Sequence, residues 1–220
     1  MNSSDLSKPL NLSSRLYAIL DVDLCAARGL DPRRVFDAWL GAGVRLVQLR
    51  AKSLAGGPLL TMAGDFASAA RAVGATFILN DRPDLARLAG AAGVHLGQSD
   101  LPPRAARAIC GPEAMIGLST HSRSELHPAF AEPVDYVAVG AVFPTSMKGP
   151  AHPVVGLDLV REAAALGRAH RRPIVGIGGI GLDTARRVIE AGASAVAVIT
   201  DLLEGDPADR ARRFLEVLGG

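Results

Sequence analysis

Residues 16–50 read LYAILDVDLCAARGLDPRRVFDAWLGAGVRLVQLR, from Leu16 to Arg50. The aliphatic runs at its two ends predict strands over Leu16–Leu20 and Leu46–Leu49. Between them Asp31-Pro32 pairs a capping carboxylate with a proline suited to the first turn of a helix. Ala42-Gly43 stands just before the second strand, where glycine takes the left-handed conformation that ends a helix. A dinucleotide-binding sheet would carry GxGxxG after its first strand, whereas this chain carries Leu20-Asp21-Val22-Asp23.

The same strand–helix unit recurs to the C-terminus. Further strands are expected at Thr76–Leu79, Val94–Leu96, Met115–Leu118, Tyr136–Val139, Ile174–Ile177 and Ala195–Ile199. Ala92-Gly93 and Ala191-Gly192 repeat the helix-ending signal, and Asp206-Pro207 repeats the helix start. An open doubly wound sheet permits this alternation too, but here polar motifs follow seven successive strands instead of gathering at one switch point. The expectation is an α/β fold, a single-domain (β/α)8 TIM barrel over residues 15–220, with residues 1–14 as a flexible N-terminal tail. A chain of 220 residues suits one core.

Apolar residues make up 49% and charged residues 21%, the balance of a packed globular protein. The net charge of +2 arises from 24 basic and 22 acidic residues scattered along the chain, so no basic stripe is available to a nucleic acid. Cys25 and Cys110 stand far apart, with no neighbouring His or Cys to suggest a disulfide framework or zinc. The opening residues lack the apolar run of a signal peptide, and no later segment has the length and apolarity of a membrane span. A cytoplasmic protein with no membrane partner is expected. Trp39, in an amphipathic helix, reads as core or as a contact between copies of a homo-oligomer. His95 lies within a strand and reads as barrel filling; His121, His127, His152 and His170 are dispersed and receive no catalytic role. Arg168, His170, Arg171 and Arg172 read as a solvated helix end at the face opposite the site.

In such a barrel the chemistry sits at the C-terminal strand ends. After the second strand, the period-two spacing of Gln48-Leu49-Arg50-Ala51-Lys52 points Gln48, Arg50 and Lys52 the same way, an amide and two cations suited to a diphosphate. A solvated basic strand end is the plainer alternative for that stretch alone. Asp81, within Asn80-Asp81-Arg82-Pro83-Asp84, and Asp100, within Gly97-Gln98-Ser99-Asp100, stand at neighbouring strand mouths. Two carboxylates together with substrate phosphate oxygens suit magnesium, although each aspartate alone also reads as a helix cap, Asp100 before Leu101-Pro102-Pro103 above all. Ser119-Thr120 ends the fifth strand. The sixth runs into Phe143-Pro144-Thr145-Ser146-Met147-Lys148-Gly149-Pro150, a proline-rich loop read as a substrate lid, with Lys148 as a third cation. Gly178-Gly179 and Ile199-Thr200 follow the seventh and eighth strands, the usual phosphate site of this fold.

Four motifs occur in order and in register: Gln48-Leu49-Arg50-Ala51-Lys52; Asn80-Asp81-Arg82-Pro83-Asp84-Leu85-Ala86; Gly93-Val94-His95-Leu96-Gly97-Gln98-Ser99-Asp100; and Ile177-Gly178-Gly179-Ile180. With them the chain resembles the thiamine-phosphate synthase family from about Leu16 onward. That family joins an aminopyrimidine methyl diphosphate to a thiazole ethyl phosphate. The resemblance implies that Gln48, Leu49, Arg50, Ala51, Lys52, Asn80, Ser119 and Lys148 hold the pyrimidine diphosphate. Of these, Arg50, Lys52, Lys148 and Ser119 would act on the departing diphosphate. It implies that Asp81 and Asp100 hold Mg2+, and that Thr145, Ser146, Met147, Gly179, Ile199 and Thr200 hold the thiazole phosphate. Dissociative chemistry of this kind needs no Cys–His or Ser–His constellation, and none is evident. Two positions depart from the family: its Thr-x-Thr-Lys reads Thr145-Ser146-Met147-Lys148 here, and Thr200 is more often serine. The rival readings are the paralogous thiazole tautomerase, which needs neither diphosphate nor magnesium, and a non-catalytic barrel that senses thiazole or thiamine phosphate.

Overall fold

Eight short strands pair in sequence order and close on themselves: β1 (Leu16–Asp21), β2 (Leu46–Arg50), β3 (Thr76–Asn80), β4 (Gly93–Leu96), β5 (Met115–Thr120), β6 (Tyr136–Val139), β7 (Ile174–Ile177) and β8 (Ala195–Val198). The computed structural model describes residues 12, 14–145 and 153–219. All pairings are parallel, and β1 closes the ring by pairing β2 at Ala18↔Val47 and β8 at Leu16↔Val196. This is the expected (β/α)8 barrel. Around it lie α1 (Val22–Ala27), α2 (Pro32–Gly41), α3 (Gly56–Ala72), α4 (Pro83–Leu88), α5 (Pro103–Cys110), α6 (Arg123–Ala129), α7 (Gly156–His170), α8 (Ala185–Glu190) and α9 (Pro207–Leu218). No helix among the described residues is long and apolar enough to cross a membrane.

Alternation along each strand makes two cores. Leu16, Ala18, Leu20, Val47, Leu49, Val196 and Val198 face the helices, where Phe36, Trp39, Phe66 and Phe77 fill the space between layers. Tyr17, Ile19, Leu46, Ile78, Tyr136, Ala138, Val175, Ala195 and Ala197 face inward and plug the barrel. Leu12, inside the stretch expected to be a tail, is buried in this second cluster, and Ser14 accepts a hydrogen bond from the Leu16 N–H. Trp39 is wholly buried, which places it in the core; its indole N–H finds no partner.

The expected caps form. Asp31 accepts from the Arg33 N–H and Asp206 from the Asp209 N–H, both at 2.9 Å. Sequence periodicity passed over α1, whose six residues are too few to show an amphipathic repeat; it starts because Asp21 accepts from the Leu24 N–H at 2.9 Å. Gly43 and Gly192 adopt positive φ as expected, but Gly93 does not. It opens β4, and the helix-ending conformation falls to Gly90. Gly93 is there for a different reason: a Cβ would overlap the Met115 carbonyl of β5.

Gly93→Ala is therefore expected to destabilise the protein by about 1–3 kcal/mol, the usual cost of overpacking. Gly64→Ala, in the interior of α3 with nothing near its added methyl, should instead be neutral or stabilising by up to about 1 kcal/mol. Urea unfolding of both variants checks the contrast; equal effects would contradict the close β4–β5 approach.

Candidate active site

The C-terminal ends of the strands hold most of the polar groups that the core retains. Asp21, Gln48, His95, Ser119 and Thr120 are all buried. A cavity of about 630 Å³ opens above them, walled by β1 to β5 with Ile177 and Ile199 on the far side. Gln48, Arg50 and Lys52 line it together, as their alternation required. The same alternation turns Leu49 and Ala51 outward into the helix-facing core, so neither side chain reaches the cavity. Asn80, Asp81, Asp100 and Ser119 complete the expected set on this side.

Among the described residues, Arg50 and Lys52 are each paired with a carboxylate. Arg50 pairs with Asp21, which is only 1% exposed and lies directly across from it in the β1–β2 register. Lys52 pairs with Asp81, and its own backbone N–H donates to Asp23 at 3.1 Å. Asp23 also accepts from Ser53, so the loop after β2 is tied back to α1. Sequence reasoning met Asp21 and Asp23 only as the absence of a glycine motif. Their placement after β1, facing the basic β2 end, was the available signal.

Asp81 takes a left-handed backbone, φ 64°, with its N–H donating to the His95 carbonyl at 2.8 Å. Burial, above all, pushes its carboxyl above the usual range, and Asp100 adds to this, while Lys52 pulls the other way. Asp100 does not cap α5, whose N-cap is Pro102; its Oδ2 accepts from the Gly97 N–H at 2.7 Å, closing the loop after β4. The two aspartates thus face each other closely enough to repel. A pair of carboxylates in that relation gains from a cation between them. Among the described residues no group of three or more His, Cys, Asp or Glu side chains is gathered. The donor set is therefore that of a hard ion completed by other oxygens, which fits magnesium on a diphosphate.

His121, given no role on sequence grounds, and Gln98 also line the cavity. His121, following β5, has its Nδ1 3.1 Å from Glu125 Oε2, and the same oxygen accepts the His121 N–H at 2.7 Å. Gln98 reaches across from the β4 loop and donates to the Ser119 carbonyl at 2.7 Å.

A second cavity, about 330 Å³, lies over β7 and β8 and shares Ile177 and Ile199 with the first. Thr145, Gly179 and Thr200 line it, with Ile199 on the dividing wall. Gly178 and Gly179 have φ of 95° and 65°, and a Cβ at Gly179 would stand 2.6 Å from the Phe143 carbonyl oxygen. Without side chains, such a stretch lets a phosphate come close to the backbone N–H groups. The floor is braced by Asp201, which accepts from Arg210 and from the Leu182 N–H, and by Arg28, which donates to the Leu203 carbonyl at 3.1 Å. Ser146, Met147 and Lys148 lie outside the described residues.

Residues 16–202 match the profile of the family described as thiamine monophosphate synthase. A thiamine-phosphate synthase of Koribacter versatilis is 44% identical over 206 residues, which cover 93% of this chain and 95% of that protein. Another, of Acidothermus cellulolyticus, is 44% identical over 203 residues, covering 91% and 93%. The solved thiamine phosphate pyrophosphorylase from Pyrococcus furiosus superposes with a TM-score of 0.84 at 28% identity, over 95% of this chain and 97% of that one. The match runs from the first barrel strand into the turn that follows the eighth, and so takes in all but Glu204 of the lining of the two cavities: the chain belongs to the thiamine monophosphate synthase family.

Proposed function

We propose that this chain is a thiamine-phosphate synthase. It condenses 4-amino-2-methyl-5-(diphosphooxymethyl)pyrimidine with 4-methyl-5-(2-phosphoethyl)thiazole, or with the carboxylated form of that thiazole, which also loses carbon dioxide, to give thiamine phosphate and diphosphate. The observation that carries this reading is the pair of adjoining cavities that meet at Ile177 and Ile199. One presents cations and a carboxylate pair; the other presents a pair of glycines and hydroxyls. Two phosphorylated heterocycles would meet across those isoleucines. A tautomerase of the thiazole alone would leave Arg50, Lys52, Asp81 and Asp100 without a task.

In the reaction the C–O bond to the diphosphate breaks, its electron pair leaves with the diphosphate, and the thiazole nitrogen lone pair forms the new C–N bond at the methylene carbon. No side chain has to abstract a proton at that step. The protein's work is to position the two rings and to stabilise the departing charge. Arg50 and Lys52, with Lys148 from the loop after β6, provide cations for the diphosphate, and Ser119 provides a hydroxyl. Gln48 and Asn80 offer amides to the pyrimidine half. Asp81 and Asp100 hold Mg2+, which when bound offsets part of the diphosphate charge. Thr145, Ser146, Met147, Gly179, Ile199 and Thr200 form the thiazole phosphate side.

The carboxylate pairs held by Arg50 and Lys52 add a step. Binding of the diphosphate exchanges one anion for another at Lys52 and adds an anion beside the existing pair at Arg50, so neither cation has to be ordered afresh. Arg50 keeps its grip on buried Asp21 through one edge of the guanidinium, which leaves the other edge for phosphate oxygens.

Three outcomes follow from these assignments. Asp100→Ala should raise the magnesium concentration needed for half-maximal turnover by at least about tenfold, equivalent to about 1.4 kcal/mol; an unchanged magnesium titration would remove Asp100 from the metal site. Arg50→Ala and Lys148→Ala should each slow diphosphate departure in single-turnover experiments by about 10²- to 10³-fold, the scale for deleting one preorganised donor to a developing anion. A loss confined to thiazole affinity would contradict both placements, and because Arg50→Ala also uncovers Asp21, its unfolding is followed alongside. Met147→Thr should tighten thiazole phosphate only several-fold, since one neutral hydrogen bond is worth about 0.5–1.5 kcal/mol, and should leave pyrimidine diphosphate affinity unchanged. A silent wild type that this substitution switches on would favour the sensor reading.

A further inference from the structure

Beneath the polar cavity a line of hydrogen bonds crosses the barrel interior. Gln48 Nε2 donates to Tyr17 Oη at 2.8 Å, Tyr17 Oη lies 2.9 Å from Tyr136 Oη, Tyr136 Oη lies 2.9 Å from His95 Nδ1, and His95 Nε2 lies 2.8 Å from Ser119 Oγ. All five side chains are buried. The line begins and ends on residues assigned to the substrate, while its three middle members touch neither cavity wall except through His95.

The proton count gives this line a direction. Burial pushes both phenols far above their ordinary range, so each keeps its one O–H. Tyr17 receives the Gln48 amide N–H and therefore passes its own proton to Tyr136. Tyr136, receiving that, donates to His95 Nδ1. An imidazolium would aim a second N–H at an oxygen already donating to it, so the ring carries its proton on Nε2 and donates to Ser119. The Ser119 oxygen is then occupied as an acceptor on its inner side, and its hydroxyl proton is left to point into the cavity.

The barrel makes room for this at one position. Gly117 sits between Met115 and Ser119 on the inward face of β5, and a Cβ there would overlap the Tyr136 phenol and stand 2.6 Å from His95 Nδ1. A side chain at 117 and the Tyr136–His95 bond exclude each other.

We infer that Tyr17, Tyr136 and His95 are positioning residues that relay a one-way chain of hydrogen bonds from Gln48 to Ser119, holding the Ser119 hydroxyl as a donor toward the departing diphosphate. The inference rests on the proposed role of Ser119. It predicts that the pyrimidine end and the diphosphate end of one substrate are read by a single connected element, whose polarity is set before substrate arrives.

Two measurements on the full-length protein test it. Nitrogen-15 NMR of the imidazoles, with the His95 signals identified by their loss in His95→Gln, should show the Nε2–H tautomer in the wild type; an Nδ1–H tautomer means the chain runs the other way and overturns the inference. In turnover, Tyr136→Phe should lower kcat by about threefold to tenfold, the scale of one hydrogen bond, with little change in KM, and should cost nothing further in a Ser119→Ala background. The same loss repeated in Ser119→Ala would mean that Tyr136 acts only on stability, and would overturn the relay. A Ser119→Ala enzyme with full kcat would sink the kinetic half together with the proposed role of Ser119, while the tautomer judges the chain itself. Should Tyr136→Phe fail to fold, Tyr17→Phe cuts the chain one link earlier and carries the same expectations.

Discussion

Pairing of β1 with β8 is the contact on which everything else depends. A parallel strand has backbone groups to satisfy on both edges, and an open sheet of eight would leave two edges bare. With Leu16 opposite Val196 and Ala18 opposite Val47, no edge remains. Parallel pairing throughout also fixes polarity. Every strand points the same way, so the residues that follow all eight strands are delivered to one rim, although they are spread from Asp21 to Thr200 along the chain. The larger cavity does not exist without that closure, because its wall joins Ile19 and Gln48 to Ile177 and Ile199.

Inside the ring, space is the limiting quantity. Eight strands enclose just enough volume for side chains to fill it, and the lower part is filled by Leu12, Leu46, Ile78, Val175 and Ala195. Higher up, the filling turns polar. A buried hydroxyl or imidazole without a partner costs about 1–3 kcal/mol, so polar groups are admitted there only as a connected set. Tyr17, Tyr136 and His95 satisfy one another, and Gly117 supplies the gap that their contact needs. The outer layer is mostly apolar; Thr120 is buried with its hydroxyl donating to the Ala138 carbonyl, and the buried indole N–H of Trp39 finds no partner.

At the rim, electrostatics replaces packing as the organising constraint. Cations aimed at a shared cavity would repel one another, and here each is balanced before any substrate arrives: Arg50 by Asp21, Lys52 by Asp81. The carboxylates are not equivalent. Asp21 is deeply buried and its pairing with Arg50 doubles as the cap of α1, which makes it structural. Asp81 faces Asp100, and burial raises its proton affinity; it is the carboxylate that the proposed function gives to a metal.

Much of this was legible in the residues alone. Eight apolar runs alternating with helices, with polar residues after seven successive strands, pointed to a parallel ring, and strand periodicity put Gln48, Arg50 and Lys52 on one side and Leu49 and Ala51 on the other. The pairing of Asp81 with Asp100 followed from their places after adjacent strands. What remained hidden depends on which side chains meet across the barrel. Tyr17 and Tyr136 are 119 positions apart, and both look like ordinary core residues; His95 looked like filling. Gly93 looked like a helix end, yet its lack of a side chain serves the approach of β5. Alternation along a strand reports which face a residue takes, because that is set by the local backbone. It cannot report the partner on that face, because the register between distant strands and the width of the closed ring are decided only when all eight strands are in place.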